Sequence, residues 1–256
     1  MTPALRLEGV AKSFGKTRII QGVDLEILPG ERHALIGPNG AGKSTMFHLI
    51  SGKLPLSGGV IEMNGGRIDG LPPHRIRRLG LSRSFQVSNL FGRLTVQENL
   101  ECALLWPMGV HYSIRRPMSD LRDIKDRAGE LVEMLHLGDV ARQPTASLPY
   151  ADQRVLEIGM TVAGDASIVL LDEPTAGMNR QETARMVELI DKISEGRTLV
   201  MVEHDMGVVF NLATRISVLV HGEVIASDAP ANIRSNRAVQ EAYLGASQPA
   251  DTELDA

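Results

Sequence analysis

Cysteine is nearly absent. The chain carries one, Cys102, so no internal disulfide can staple it, and thiol usage fits a reducing compartment. No residue near Cys102 in sequence offers a base, which favours a structural thiol over a catalytic one. Charge of one sign is also missing: a formal net charge of −4 gives no whole-chain argument for nucleic-acid binding. No apolar run approaches the roughly 18 residues a membrane helix needs, and the cleanest ones, 168–171 and 199–202, have buried-strand length. The opening MTPALRLEGV lacks the basic flank and apolar stretch of a secretory signal. Work at a membrane would therefore require docking to something else that spans it. Internal repeats and low-complexity tracts are absent from the region expected to fold.

What is present is ordinary globular material, 43% hydrophobic and 23% charged over 256 residues, enough for one large domain or two lobes around one core. The early part is strand-rich: 5–10, 19–28, 33–36 and 60–63 read as strands, with Pro29-Gly30 and Asn64-Gly65-Gly66 as turns. A helix is expected from Ser44 to Ser51. The middle, from Thr95, is mainly helical; Ser119 or Asp120 could cap a helix through Leu121, Ile124 and Leu131, and another begins near Ala151. The third part alternates strand and helix: 168–171, 180–193, 198–202, 206–213 and 216–220. That order predicts an α/β fold with a mostly parallel core sheet.

One loop carries a specific chemical signal. Gly37, Pro38, Asn39, Gly40, Ala41, Gly42, Lys43, Ser44 and Thr45 match the whole Walker A pattern, after an apolar strand and before an apolar-periodic helix. Glycines let the backbone curl so that successive N–H groups point at phosphate oxygens, and the helix adds its free amides and dipole. Lys43 is expected to reach the β and γ phosphates of ATP, Ser44 to ligate Mg²⁺ and Thr45 to meet the α phosphate. The run 168–171 ends in Asp172 and Glu173. Alone, two acids after a strand suit a solvated turn equally well. Beside a phosphate loop they suit Walker B chemistry, with Asp172 holding Mg²⁺ and Glu173 orienting or deprotonating the attacking water.

With these motifs in order, residues 5–244 resemble the ABC ATPase family. The resemblance implies a P-loop α/β core with an antiparallel N-terminal sheet region and an inserted helical lobe at about 95–160, within one nucleotide-binding domain, 1–244, followed by a flexible tail, 245–256. It also implies roles for single residues. Phe14 would stack on adenine, and Gln86, in Ser84-Phe85-Gln86, would reach Mg²⁺ beside the docking surface for a membrane partner. His204 would contact the γ phosphate and the attacking water, and Gly177-Met178-Asn179 would cross a dimer interface. Taken singly, Phe14 could be core, Gln86 surface loop and His204 a solvent-facing histidine.

Within the family the segments 89–99, 106–121, 203–206 and 241–245 look like the first ATP-binding subunit of branched-chain amino acid importers. The implied cofactors are ATP and Mg²⁺. The implied partners are permease subunits, a second ATP-binding subunit (a copy or a different chain) and, indirectly, a solute-binding protein, with no nucleic acid. The implied place is the cytoplasmic face of the inner or plasma membrane. Urea and short-amide importers have related subunits, and some family members do not transport at all.

One family motif departs from its usual form. The signature, most often LSGGQ, falls at Leu148, Pro149, Tyr150, Ala151 and Asp152, followed by Gln153. Pro149 offers a phosphate neither a hydroxyl nor an N–H, Ala151 adds a methyl where backbone should approach closely, and Asp152 brings negative charge unless it turns to cap the next helix. Two arrangements stay open: tolerated drift, or a heterodimer with two unequal sites. Arg75, Arg77, Arg78 and Arg83 form a basic cluster whose simplest reading is a solvated face.

Overall fold

A computed structural model describes residues 2–84, 90–110 and 121–245. The chain divides into two compact units, one built from the residues up to Leu79 and those from Thr198 onward, the other Gly80–Arg197.

The first unit holds two sets of strands. β1 (Leu5–Phe14), β2 (Thr17–Ile27), β4 (Gly58–Met63) and β5 (Gly66–Arg67) form an antiparallel sheet in the order β2-β1-β4-β5. Alternation puts Leu5, Leu7, Leu25 and Ile27 into its core. The other set is β3 (Arg32–Ile36), β8 (Thr198–Val202), β9 (Arg215–Val220) and β10 (Glu223–Asp228). β3 lies parallel to both β8 and β9, and β10 closes a hairpin on β9. Each of the five residues of β8 is buried, as a parallel strand covered on both faces must be. Helices α1 (Lys43–Ile50), α2 (Pro73–Arg78), α7 (Met206–Leu212), α8 (Pro230–Ser235) and α9 (Arg237–Gly245) complete the unit.

The second unit pairs β6 (Leu81–Arg83) in parallel with the wholly buried β7 (Ile168–Asp172). Around them lie α3 (Val96–Leu105), α4 (Arg122–Met134), α5 (Tyr150–Val162) and α6 (Arg180–Ser194). Capping boxes start two of these helices: Thr95 with Glu98 on α3, and Asn179 with Glu182 on α6. Helix α4 begins after Leu121 without a side-chain cap; the candidate caps Ser119 and Asp120 lie outside the described residues. The fold is thus α/β, with mostly parallel core strands, an antiparallel N-terminal sheet and a helix-rich inserted segment. The tail expected to be flexible falls, beyond Gly245, outside the described residues.

A buried polar chain ties the first unit's strands together. His33, fully buried on β3, sets Nδ1 2.6 Å from Glu31 Oε1 and Nε2 2.8 Å from Ser217 Oγ on β9. Ser217 Oγ donates in turn to Ser227 Oγ on β10, 2.8 Å away. An ionised carboxylate only accepts, so Nδ1 carries the proton of the first contact. Burial alone would raise the Glu31 pKa, but the hydrogen bond and charge of His33, with the Leu28 amide, bring it below the ordinary 4.5. A depressed carboxylate adds stability above its unfolded pKa and loses it as pH falls through the folded value. Glu31→Gln is therefore expected to be less stable than the parent chain at neutral pH. The gap should close below about pH 4.5, the ordinary value from which Glu31 is lowered, as urea midpoints measured across that range will report.

Candidate functional site: a phosphate loop and an acidic strand end

In the first unit the phosphate loop leaves the end of β3. Leu35 pairs with Val202 across the parallel β3–β8 ladder, so Gly37 and His204 emerge from adjacent strands at the same, carboxyl-terminal edge, where ligands bind in open α/β sheets. Asn39 and Gly40 form the exposed tip, with Pro38 half-exposed and Gly37, Ala41, Gly42 and Lys43 buried. Gly42, in the left-handed region at φ 106°, stands at the N-cap position of α1, and Ser44 and Thr45 lie in its first turn, partly exposed. Lys43 Nζ donates to Gly37 O at 2.7 Å and Pro38 O at 3.0 Å, curling over its own loop. Gly37 admits no side chain, because a Cβ there would lie 2.0 Å from Leu219 O.

The loop is braced by the β9–β10 turn. Gly222 N donates to Ala41 O at 3.0 Å, Gln21 N to Gly222 O at 2.9 Å and Gln21 Nε2 to His221 O at 2.6 Å. Gly222 has φ +81°, and a Cβ would sit 2.2 Å from Ile19 O. Gly222→Ala is expected to destabilise by about 1–3 kcal/mol through overpacking and to loosen the loop. Thermal unfolding and binding of a fluorescent ATP analogue should both weaken; unchanged values for both would refute the bracing.

Phe14, at the end of β1, is 49% exposed, so core packing does not claim it. Lys12 Nζ lies 4.9 Å from the ring centroid and donates to Pro55 O at 2.7 Å, a cation–π contact that steadies the ring. His204 is exposed. Its amide donates to Glu203 Oε2 at 2.8 Å, and the following Asp205 caps α7 through Gly207 N at 2.7 Å and Val208 N at 3.3 Å.

In the second unit Asp172 ends β7, fully buried. Its Oδ2 accepts from Arg83 Nη2 at 2.9 Å, its amide donates to Ser84 Oγ at 3.1 Å, and its Oδ1 is buried with no hydrogen-bond partner among the described residues. The Arg83 side chain is 8% exposed, which corrects its place in a solvated basic cluster. Burial lowers the Arg83 pKa, against the hydrogen bond and charge of Asp172. Glu173 follows at φ +47°, a left-handed conformation that disfavours an L-residue by roughly 1–2 kcal/mol and that collects at functional sites. Arg154 Nη2 donates to Glu173 O at 2.9 Å and Asp172 O at 3.2 Å, while its Nη1 meets Glu157 Oε2 at 2.9 Å.

Helix α5 carries the signature residues. Pro149 occupies the N-cap position and no side chain caps the helix, so Asp152, in the first turn, does not act as its cap. Leu148 is buried, and Gln153 Nε2 donates to Leu148 O at 3.0 Å. Ala151 is half-buried and Tyr150 is exposed beside Gly177, where a Cβ would meet Tyr150 Cε1 at 3.4 Å. Asn179 caps α6. Gln86 lies outside the described residues.

An ABC transporter family model matches residues 20–176, more than half of the chain. The chain belongs to the ABC transporter family. A second model, for the branched-chain amino acid ATP-binding cassette transporter, matches residues 223–248 of this ABC ATPase. It is 37% identical over 95% of its length, and 98% of the relative's, to the high-affinity branched-chain amino acid transport ATP-binding protein LivG of Escherichia coli. The corresponding protein BraF of Pseudomonas aeruginosa is 34% identical over the same shares. Among solved structures, an ATP-binding cassette of an ABC transporter in its ADP conformation aligns at a TM-score of 0.83 and 25% identity, covering 96% of this chain and all of the other. A dimeric cassette in a post-hydrolysis state with ADP and Pi aligns at 0.75 and 27%, covering 88% and 98%. As a member of this family the chain is an ATP-hydrolysing enzyme. Among the described residues no helix is long and apolar enough to cross a membrane.

The residues fit magnesium-bound ATP. A buried carboxylate oxygen left without a hydrogen-bond partner among the described residues, Asp172 Oδ1, suits a magnesium ion that takes one carboxylate from the protein and shares phosphate oxygens. A glycine loop with one buried lysine at its mouth suits the phosphates themselves. Sequence reasoning missed Arg154 and Glu157, and misplaced Arg83. A signal for Arg154 existed: it falls at helical spacing with Ile158 and Val162, on the buried stripe of α5.

Proposed function

We propose that this ABC ATPase hydrolyses ATP to drive solute import, and that its cargo is branched-chain or other hydrophobic amino acids. One observation carries the cargo: the branched-chain amino acid cassette model matches residues 223–248, beyond the stretch that the general ABC transporter model covers. Its partners are two permease subunits, a second ATP-binding subunit and, through the permeases, a solute-binding protein, and it works on the cytoplasmic face of the membrane. The whole of 1–244 acts as one nucleotide-binding domain with a helical lobe at about 95–160.

In this reading Phe14 stacks on adenine, and the loop from Gly37 to Thr45 cradles the phosphates with Lys43 at β and γ. Ser44, Asp172 and, by resemblance, Gln86 hold Mg²⁺, which offsets phosphate charge when bound. Glu173 orients or deprotonates the attacking water and His204 hydrogen-bonds beside it. The segment from Leu148 to Gln153 faces the nucleotide of the opposite subunit.

The test is affinity purification from solubilised native membranes, with identification of the co-purifying chains and uptake of labelled leucine and urea after gene disruption. Two permeases with loss of leucine uptake support the proposal. Loss of urea uptake alone reassigns the cargo, and recovery of the chain without any membrane protein overturns transport.

A further inference from the structure

We propose that Arg154 is a positioning residue that holds Glu173 in its working conformation and ties it to helix α5. The inference rests on the reading of Glu173 as the group that handles the attacking water. The backbone at Glu173 is left-handed at φ +47°, so it stays there only if neighbouring contacts outweigh the strain. One of those contacts is the Ala176 amide, which donates to Glu173 O at 3.2 Å, and two more come from one guanidinium nitrogen. Arg154 Nη2 donates to the carbonyls of both Asp172 and Glu173, at 3.2 and 2.9 Å, and two successive carbonyls converge on one point only where the chain turns. The guanidinium is itself fixed, since Nη1 is held by Glu157 Oε2 at 2.9 Å and both side chains are under 10% exposed. A planar fork held at one end and donating at the other keeps its geometry better than a flexible ammonium.

The origin of this arm matters. Arg154 lies in the second turn of α5, directly after Gln153, so the helix that begins with the signature residues grips the peptide of Glu173. Displacement of α5 would be felt at that peptide, and through it at the Glu173 carboxylate.

The experiment compares Arg154→Met, Arg154→Lys and Glu173→Gln, alone and combined, in the full-length chain within the complex with which it co-purifies. Readouts are kcat, KM for ATP, equilibrium binding of a fluorescent ATP analogue, and thermal unfolding. Arg154→Met is expected to lower kcat by about 10²-fold, the scale of a misplaced catalytic group, with KM and analogue binding within about two-fold of the parent. Arg154→Lys should recover part of that loss, having charge but no fork. In the Glu173→Gln background Arg154→Met should remove no further turnover. Should Arg154→Met fail to fold, Arg154→Lys must still show the kcat loss with unchanged binding.

An unchanged kcat in both arginine variants overturns the proposal. So does a loss of kcat matched by a loss of analogue binding, or one that persists undiminished in the Glu173→Gln background. Full turnover by Glu173→Gln would instead overturn the reading of Glu173, and the proposal with it. An inactive Glu173→Gln beside an active Arg154→Met would overturn the proposal alone.

Discussion

Replacing Glu173 by glutamine is expected to lower ATP turnover by about 10²–10⁴-fold, the range supplied by a positioned general base, while ATP still binds. Glutamine matches glutamate in shape and keeps its backbone carbonyl, so the contacts from Arg154 survive and the left-handed turn is no more strained than before. The only group removed is the ionised oxygen. Steady-state hydrolysis, equilibrium binding of a fluorescent ATP analogue and thermal unfolding therefore separate cleanly: the first should collapse and the other two should hold. Loss of binding in step with turnover would mean that Glu173 supports the nucleotide and not the water. The same assay addresses the altered signature. If Pro149, Ala151 and Asp152 weaken one of two sites, changing them to serine, glycine and glutamine should raise turnover far less than Glu173→Gln lowers it. Equal, full activity at both sites in the assembled complex would sink the unequal-site arrangement.

The contrast between Glu173 and the arginines shows what a sequence can display. Strands such as β7 and β8 are apolar at nearly every position and wholly buried, so their period and length announce them. The phosphate loop is legible for a related reason: its glycines are demanded locally, as at Gly37, where no Cβ fits. β6 spans three residues, Leu81–Arg83, too short for a pattern. β10 is a half-buried hairpin partner of β9 with no clean alternation of its own. Arg83 looked like one more cation in a basic run because its partner, Asp172, is 89 positions away. Arg154 reaches 18 and 19 positions onward. Both pairings are made by the fold, and only Arg154 left a trace, as a charge on an apolar helix stripe. The left-handed turn at Glu173 left none, since it is glycine and, less often, asparagine or aspartate that advertise a positive φ.

The buried Arg83–Asp172 pair makes a second large effect testable apart from chemistry. Both side chains are under 10% exposed and 2.9 Å apart, and removing one partner of such a pair destabilises by about 3–5 kcal/mol. Asp172→Leu and Arg83→Met should each show that loss in urea unfolding. The double variant puts apolar groups on both sides, an exchange that is often neutral or stabilising, so it should unfold close to the parent midpoint. Its function should not return with its stability. Without the Asp172 carboxylate, Mg²⁺ should no longer increase the thermal stabilisation given by ATP, and hydrolysis should stay at background. A stable double variant with Mg²⁺-dependent hydrolysis would remove Asp172 from the metal site. Single variants unfolding at the parent midpoint would show that the remaining charge is not left unpaired in the core, because solvent or another group then compensates it.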